Sequence, residues 1–336
     1  MNTSEIIQST LVLHTAFEEA TKRIEQCFNF AEGTEPICIA LVGESRTGKS
    51  RVLEECASNH LRFRTSEGLE VPILRVTTPS KPTVKGLAEL MLQLMGDPRF
   101  TVGTENTKTI RLRTLMCNAG TKMVMIDEFQ HFYDKSSHKV MHYVADWLKI
   151  LVDDCRVALV VSGLPSCQAV LEQNEQLVGR FLSPIFMPRF DWRNDNHREE
   201  FIGILSSFYD SLTKNFDLPA LDQPNMAFRC YCGTGGLIGY LTKFLRQAVW
   251  NAIDAGSNTI DLEDLFKAHT QAVWLKESPI SLPNPFSTEF NVTPTDELLA
   301  RVQLIGTPFK ETTESRKTTT RKGGRPLSVQ SVLVGS

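Results

Sequence analysis

Five short apolar runs, separated by longer segments with helical spacing, mark the first part of the chain. They occupy residues 37–43 (ICIALVG), 71–76 (VPILRV), 122–128 (KMVMIDE), 156–163 (RVALVVSG) and 184–190 (PIFMPRF). Apolar runs of this length are typical of parallel strands buried on both faces, and the segments between them are typical of right-handed crossover helices. The pattern therefore predicts an α/β domain with a five-stranded parallel sheet over residues 21–192.

Beyond the fifth run the strand signal disappears and apolar residues recur at helical spacing. Residues 197–212 and 236–256 each place apolar side chains on one helical face, which predicts a small all-α lid domain over residues 193–276. From there the chain is first rich in Pro and Ser and then poor in apolar residues. Residues 277–336 are therefore expected to form a linker and a flexible basic tail, and residues 1–20 an N-terminal extension.

Composition excludes several classes of protein. The 336 residues carry a formal net charge of −3 at pH 7, so any contact with nucleic acid needs a local basic patch. No apolar run approaches the roughly 20 residues of a membrane span, so a cytoplasmic protein without a membrane partner is expected. The eight cysteines are scattered, and only Cys230 and Cys232 are close in sequence, which favours reduced thiols over a zinc site.

A phosphate-binding motif, G-x-x-x-x-G-K-[ST], follows the first apolar run. It consists of Gly43, Glu44, Ser45, Arg46, Thr47, Gly48, Lys49 and Ser50. Between a buried strand and a helix, such a loop turns its backbone N–H groups toward phosphate oxygens at the helix N-terminus. Lys49 is expected to reach the β- and γ-phosphates and Ser50 to offer its hydroxyl to Mg²⁺. The motif predicts that all eight residues bind a nucleoside triphosphate.

Two adjacent acids end the third apolar run. Asp127 is expected to hold Mg²⁺ through water, and Glu128 to orient and deprotonate an attacking water. A solvated turn is the plainer alternative, but the preceding apolar run and the upstream loop favour a functional role. An Asp-Glu pair indicates hydrolysis by water and disfavours phosphoryl transfer to a bound acceptor.

Two further positions are candidates for phosphate chemistry. Ser162 ends the fourth run, where its hydroxyl could touch the γ-phosphate or the attacking water, although serine is also a common turn former. Arg180 precedes the fifth run and could complete the site of a neighbouring subunit by stabilising charge on the transferred phosphoryl group. Arg189 is the competing candidate for that role, and an ordinary surface arginine is the third possibility.

The order of features along the chain resembles that of the AAA+ ATPases. These features are a phosphate loop, a strand ending in two acids, a strand ending in a polar residue, an arginine and a helical lid. Residues 75–98 (RVTTPSKPTVKGLAELMLQLMGDP), 123–132 (MVMIDEFQHF) and 159–166 (LVVSGLPS) further resemble the TniB/TnsC family of transposition regulators. The Gln-His pair after the acids and the Thr-Pro-x-x-Pro-Thr segment are not general AAA+ features. With residues 235–241 (GGLIGYL) added, the chain resembles family members from CRISPR-associated transposons.

The resemblance implies an ATPase that uses ATP and Mg²⁺ and acts in the bacterial cytoplasm, at the nucleoid when active. It implies assembly with copies of itself, as a ring or filament, on double-stranded DNA. It also implies that the assembly links a target-selector protein or RNA-guided complex to the transposase. A nucleotide-gated switch that binds only proteins is the alternative, and a helicase or a small-molecule phosphotransferase is a third hypothesis.

Carried over by position, the resemblance assigns ATP and Mg²⁺ binding to Lys49 and Ser50, and hydrolysis to Asp127 and Glu128. It assigns to Arg180 a role across the subunit interface. One departure concerns the lid, where many AAA+ proteins carry an arginine near the first turn of a helix. This chain has Leu237 and Ile238 there, so slow or partner-stimulated turnover is expected.

A family that encircles DNA needs cations that face the DNA backbone. The candidates in the α/β domain are Lys81, Lys85, Arg111 and Arg113, although most surface cations are simply solvated. A second basic cluster lies in the tail and consists of Arg316, Lys317, Arg321, Lys322 and Arg325. DNA tethering, docking onto the transposase and plain disorder remain open for this cluster.

Overall fold

The structure is a computed structural model that describes residues 6–10, 14–31, 35–66, 68–79, 81–135, 137–273 and 282–307. The basic tail cluster lies outside the described residues. No helix in the described part of the chain has the length and apolar character needed to cross a membrane.

A five-stranded parallel sheet forms the centre of the first half of the chain. Its strands are β1 (Ile39–Gly43), β4 (Ile73–Thr77), β5 (Met123–Asp127), β6 (Ala158–Gly163) and β7 (Ile185–Met187), in the order β4-β5-β6-β1-β7. A short antiparallel hairpin, β2 (Phe63–Arg64) and β3 (Leu69–Glu70), lies apart from this sheet. All five predicted strands are present, so the predicted sheet is confirmed.

Helices cover both faces of the sheet. One face packs against α2 (Thr15–Asn29) and α3 (Lys49–Asn59), and the other against α4 (Val84–Leu94), α5 (Glu105–Asn118) and α7 (His138–Cys155). Strands β1, β5 and β6 are buried at every residue, because successive side chains alternate between the two covered faces. The apolar runs of the sequence lack polar alternation for this reason.

Short helices complete the connections and longer helices form the second half of the chain. The short ones are α1 (Ile6–Ser9), α6 (His131–Asp134), a 3₁₀ turn (Pro165–Cys167), α8 (Gln168–Leu171) and α9 (Glu175–Val178). The second half contains α10 (Asp195–Leu212), α11 (Pro224–Thr234), α12 (Ile238–Asp254), α13 (Leu262–Ala272) and α14 (Asp296–Val302). These five helices share one apolar core, so the predicted all-α part is present.

Helix α11 was not among the segments that helical spacing singled out. It begins with Pro224, which is favoured in the first helical turn, and ends at Gly235 with φ 64°. Its Cys230 and Cys232 are buried in the helical core, and burial raises the pKa of Cys230 to about 12. Both residues are therefore buried protonated thiols.

The structure corrects the predicted limits of the helical part. Phe286, Phe290, Leu299 and Val302 are buried in the same core as α10–α13, so the linker expected from residue 277 does not describe residues 282–307. Their apolar side chains are separated irregularly by Pro, Ser and Asn, which hides them from a search for periodicity. At the other terminus, α1 also packs on this core, whereas α2 packs on the sheet.

Candidate functional site

The alternation of side chains along two strands brings polar groups to one place. Met125 and Val160 point to the sheet face that α2 and α3 cover. Asp127 and Ser162 lie two residues further along the same strands, so their side chains point to the same face at the carboxyl edge of the sheet. Lys49 begins α3 on that face, directly after the loop that leaves β1.

The glycine-rich loop (residues 43–50) adopts a curled backbone that explains its two glycines. Gly48 has φ 102°, in the left-handed region that glycine tolerates, and it occupies the position before the first residue of α3. At Gly43 a Cβ would lie 2.4 Å from the carbonyl oxygen of Met187, so β7 excludes any side chain there. Arg46 also has a positive φ, 69°.

Lys49 is folded back onto the loop. Its Nζ donates to the carbonyl oxygens of Gly43 (2.9 Å) and Glu44 (2.5 Å), and only 7% of the residue is exposed. Burial lowers the pKa of the ammonium, whereas the carboxylates of Glu128 and Asp127 raise it. The ammonium has two backbone partners that phosphate oxygens can replace.

The two acids differ in their surroundings. Asp127 is 4% exposed; its Oδ1 accepts the N–H of Glu128 (2.9 Å), and its Oδ2 lies 3.9 Å from the guanidinium of Arg75. Glu128 has φ 55° and a side chain that is 45% exposed. Its Oε2 accepts from Nε2 of Gln130 at 2.6 Å. One carboxylate therefore lies within the site and the other faces solvent at its rim.

Ser162 is fully buried at the end of β6, and its hydroxyl oxygen has no hydrogen-bond partner in the described part of the chain. A buried hydroxyl without a partner costs free energy, on the order of 1–3 kcal/mol. The carbonyl of the same residue accepts the N–H of Phe129 at 2.9 Å. The hydroxyl is therefore unpaired at this edge, although protein atoms enclose it.

Helix α12 reaches the glycine-rich loop from the helical part. The N–H of Gly239, in its first turn, donates to the carbonyl of Arg46 at 2.9 Å, which satisfies one of the free N–H groups of the helix start. The guanidinium of Arg46 lies 4.4 Å from the ring centroid of Tyr240. At Gly239 a Cβ would lie 2.8 Å from Cβ of Arg46, so only glycine permits this approach.

Arg189 ties the same loop to the chain's later segments. Its Nη2 lies 2.5 Å from Oε2 of Glu44, and its Nη1 donates to the carbonyls of Gly235 (3.3 Å) and Gln303 (2.9 Å). Only 8% of the Arg189 side chain is exposed. The guanidinium therefore connects the glycine-rich loop, the end of α11 and the segment after α14.

A cavity of about 460 Å³ opens between the glycine-rich loop, the N-terminal segment and the helical part. It is lined by residues of three groups: Thr47, Gly48, Arg51 and Glu54 near α3; Ile7, Thr10, His14 and Phe17 in the N-terminal segment; and Phe208, Ile238, Gly239, Thr242 and Arg246 in the helical part. Apolar walls with a few polar groups suit a small-molecule site.

Arg180 lies at the opposite, amino edge of the sheet. Its carbonyl accepts the N–H of Cys38, the residue before β1. Its guanidinium forms ion pairs with Glu35 and, at 2.6 Å, with Asp153 at the end of α7. The structure does not bring Arg180 to the glycine-rich loop of its own chain.

The four predicted DNA contacts fall into two groups. Lys81 lies in the connection from β4 to α4 and Lys85 in the first turn of α4; both are exposed, and neither forms an ion pair with another described residue. Arg111 contacts Asp97 (Nε to Oδ2, 2.6 Å) and Arg113 contacts Asp154 (2.8 Å). The structure therefore leaves the two lysines free and engages the two arginines within the chain.

Several site residues escaped sequence reasoning. The signal for Arg246 was present, because Ile238, Thr242 and Arg246 recur at intervals of four and all line the cavity. The helical part therefore does place an arginine, Arg246, at the cavity. It lies about two helical turns after Leu237 and Ile238, where many AAA+ proteins carry theirs. His14 lines the same cavity, and burial lowers its pKa, whereas Glu200 raises it. No local pattern marks His14.

Comparison with known proteins bears on this site. The family model described as Bacterial TniB protein matches residues 3–192, more than half of the chain. The chain belongs to the TniB family. The match covers the N-terminal helices, the parallel sheet and the glycine-rich loop, and leaves α10–α14 outside. No curated protein matches the sequence.

Solved structures show the fold. The chain is similar to the ORC2 protein of Aeropyrum pernix in its ADPNP–ADP complexes, with 12% identity, a TM-score of 0.55, and coverage of 81% of this chain and 72% of that one. Cdc6p of Pyrobaculum aerophilum is similar at 12% identity, TM-score 0.56 and coverage of 80% and 71%. The Aeropyrum pernix ORC1 protein in complex with DNA is similar at 14% identity, TM-score 0.55 and coverage of 80% and 69%. The chain has the AAA+ fold.

Proposed function

We propose that this protein is an ATPase that regulates DNA transposition. It binds ATP and Mg²⁺, oligomerises on double-stranded DNA, and links a target selector to the transposase. The observation that carries the proposal is the convergence of Lys49, Asp127, Glu128 and the unpaired Ser162 hydroxyl at one sheet edge, beside the cavity. Membership of the TniB family and the AAA+ fold support it.

The triphosphate is proposed to lie along the glycine-rich loop at the N-terminus of α3. Backbone N–H groups and the helix dipole favour anionic phosphate there. The Lys49 ammonium exchanges its two carbonyl partners for phosphate oxygens, and the base and sugar enter the cavity between His14 and Ile238. The cavity volume suits a nucleoside.

The residues at the site fit a magnesium ion. A hydroxyl from Ser50 and a carboxylate from Asp127 are the hard oxygen donors that Mg²⁺ prefers, and Mg²⁺ keeps several waters. Asp127 Oδ1 is held by a backbone N–H, which fixes the direction of its carboxylate. When bound, the ion neutralises charge on the phosphates.

Glu128 is proposed to act as the general base. It takes a proton from water as the water oxygen bonds to the γ-phosphorus. The bond from that phosphorus to the β–γ bridging oxygen breaks, and its electron pair leaves with ADP. Ser162 is proposed to donate its hydroxyl to the γ-phosphate or to orient the water. Arg46, Thr47 and Gly48 are proposed to bind the phosphates as part of the glycine-rich loop.

Arg180 is proposed to act on the nucleotide of a neighbouring copy. It cannot serve its own site from the amino edge. Of its two carboxylate partners, the Glu35 side chain is 78% exposed and the Asp153 side chain 27%. Exchanging the exposed pair with Glu35 costs little free energy, whereas leaving Asp153 requires a replacement partner. Arg189 is bound to both the loop and the helical part within one chain, which makes it the weaker candidate for this role.

DNA contact is proposed for Lys81 and Lys85, which project from the carboxyl edge without acidic partners among the described residues. Arg111 and Arg113 would first have to leave Asp97 and Asp154. The proposed partners beyond DNA are the transposase and a target selector, a protein or an RNA-guided complex. The RNA-guided alternative is supported by the sequence resemblance to family members from CRISPR-associated transposons.

Assembly on DNA tests the proposal. The full chain is mixed with duplex DNA and Mg²⁺, with ATP, a slowly hydrolysed analogue, ADP or no nucleotide, and imaged by electron microscopy. Multimers on DNA are expected with triphosphate and not with ADP. Affinity measured by fluorescence anisotropy should fall as salt rises, because phosphate contacts release counterions.

Two outcomes would contradict the proposal. Absence of multimers on DNA in every nucleotide state would reject the DNA-bound regulator. Nucleotide-dependent binding to proteins, combined with no salt-dependent affinity for DNA, would favour a switch that binds only proteins. Strand displacement and acceptor phosphorylation should both be undetectable.

A further inference from the structure

Gln130 is a buried polar residue beside the two acids, with 5% of its surface exposed. Both ends of its amide are bonded: Nε2 donates to Glu128 Oε2 at 2.6 Å, and Oε1 accepts the N–H of Leu164 at 3.2 Å. The side chain therefore spans from the turn after β5 to the residue after β6. No step of the proposed hydrolysis uses it directly.

The orientation of this amide is determined by its two partners. The Leu164 N–H is only a donor, so it requires the amide oxygen, and the carboxylate of Glu128 is an acceptor, so it requires the NH₂ group. Rotating the amide by half a turn would set two donors against each other and two acceptors against each other. A donor to Glu128 is therefore built into this position.

The chain makes room for this arrangement. At Gly163 a Cβ would lie 2.5 Å from Oε1 of Gln130 and 3.2 Å from its backbone nitrogen. Next to it, the N–H of Phe129 donates to the carbonyl of Ser162 at 2.9 Å. The turn that carries Glu128 is thus attached to the end of β6 by a backbone bond and a side-chain bond.

Glu128 needs such support because regular secondary structure does not direct it. Its φ of 55° lies in the left-handed region that non-glycine residues rarely adopt, and its side chain is partly exposed. Gln130 and, at 3.9 Å, His131 both approach Oε2. Oε1 has no hydrogen-bond partner among the described residues and remains available to water.

We infer that Gln130 is a positioning residue that holds Glu128 by one carboxylate oxygen so that the other accepts the proton of the attacking water. This inference rests on the proposed function, because it acts through the proposed base. Misplacing a reacting group by about 1 Å costs on the order of 100-fold in rate. Gln130 therefore affects turnover and not the affinity for nucleotide.

The test compares two replacements of similar length. Gln130→Glu keeps an acceptor for the Leu164 N–H and sets a second carboxyl group against Glu128, with which it can share a proton. Gln130→Met removes both the acceptor and the donor. Each is made in the wild-type chain and in a Glu128→Gln chain. Steady-state and single-turnover ATP hydrolysis with Mg²⁺ give kcat and KM, and nucleotide affinity and Tm are measured on the same proteins.

In the wild-type background we expect Gln130→Glu and Gln130→Met to lower kcat about 10- to 100-fold, with KM and nucleotide affinity changed less than about threefold. In the Glu128→Gln background the same substitutions should change the residual rate less than about twofold, because residues that act as a unit are not additive. Gln173→Met is the matched control. Among the described residues, the side chain of Gln173 donates to the carbonyl of Ala169 and to no group near the acids, so the kcat of this variant should equal that of wild type.

Three outcomes overturn the inference. A wild-type kcat in Gln130→Met shows that the donor is not needed. Equal losses in both backgrounds show that Gln130 supports only the local structure. If wild type and Glu128→Gln hydrolyse ATP at the same rate, or not at all, the proposed base fails and the inference fails with it. The last outcome is distinguishable, because in the first two Glu128→Gln is impaired.

Discussion

The two edges of the parallel sheet hold their charged side chains in different ways. At the carboxyl edge, Lys49 faces Asp127 and Glu128, and its bonds are to carbonyls of its own loop. At the amino edge, Arg180 is bound by Glu35 and Asp153. The five residues of β1 separate the two edges by about 16 Å at roughly 3.3 Å per residue.

Because of this difference, the charged groups at the carboxyl edge are proposed to act within one chain, whereas Arg180 is proposed to act between two chains. Groups that follow parallel strands meet at the carboxyl edge, so one chain supplies the loop, the lysine and both acids. A group that precedes a strand is a strand length away from that edge, which is why Arg180 is proposed to act on nucleotide in a neighbouring copy. The proposed division between Lys49 and Arg180 therefore follows from strand direction.

The largest expected effect is that of Lys49→Ala at the carboxyl edge. Loss of charge-assisted bonds to phosphate should weaken ATP binding by about 100-fold or more, and turnover should become undetectable. Binding is measured with a fluorescent ATP analogue in the full chain. Unchanged affinity would show that the carboxyl edge is not the nucleotide site.

Arg180→Ala should lower turnover by about 1000-fold, the scale of an arginine supplied in trans, while each chain still binds ATP. Arg189→Ala is the contrasting variant, because it removes the contacts of Arg189 with Glu44 in the loop and with the carbonyl of Gln303, all within the same chain. It should lower Tm and nucleotide affinity.

Mixing Arg180→Ala chains with Lys49→Ala chains tests the role in trans. Some turnover should return, because the arginine of a Lys49→Ala chain can act at the intact loop of an Arg180→Ala chain. No recovery of turnover would contradict the proposed role of Arg180.

Glu128→Gln should lower turnover by about 100-fold while retaining ATP affinity, so that assemblies persist on DNA. The measurement is dissociation from labelled duplex after dilution, alongside single-turnover hydrolysis. Faster dissociation than wild type would contradict the role of Glu128 as base.

The smallest effect concerns DNA. Replacing Lys81 and Lys85 together by Gln should weaken DNA binding and reduce the salt slope by about 2 per subunit in contact, since each lost phosphate contact removes about 0.9. Arg111→Gln with Arg113→Gln is the matched pair, and it should lower Tm more than the salt slope because both arginines are in ion pairs. If the arginine pair changed the salt slope more than the lysine pair did, the DNA contact would be assigned to α5 instead.

Much of the nucleotide site follows from local pattern. The loop motif, the pair of acids and each of the five strands are short contiguous stretches of sequence. Their convergence needs only that the strands run parallel, because the carboxyl ends of parallel strands lie at one edge of the sheet. Arg189, Gln130 and the cavity-lining His14 are different, because each also contacts residues distant in the chain, as Gln130 does with Leu164. Arg189 contacts Gln303, and no spacing rule connects those two positions.

The sequence by itself determined that a strand, a glycine-rich turn and a helix would follow one another, because backbone conformation and apolar burial are set by neighbouring residues. That Asp127 and Ser162 share a sheet face depended in addition on the pairing of β5 with β6, because side chains alternate with period two. Only the tertiary structure decided which charges are free and which are engaged, that residues 282–307 join the helical core, and that Gln130 faces Glu128. Those outcomes depend on contacts between segments far apart in the chain, where burial and hydrogen-bond partners are set by packing.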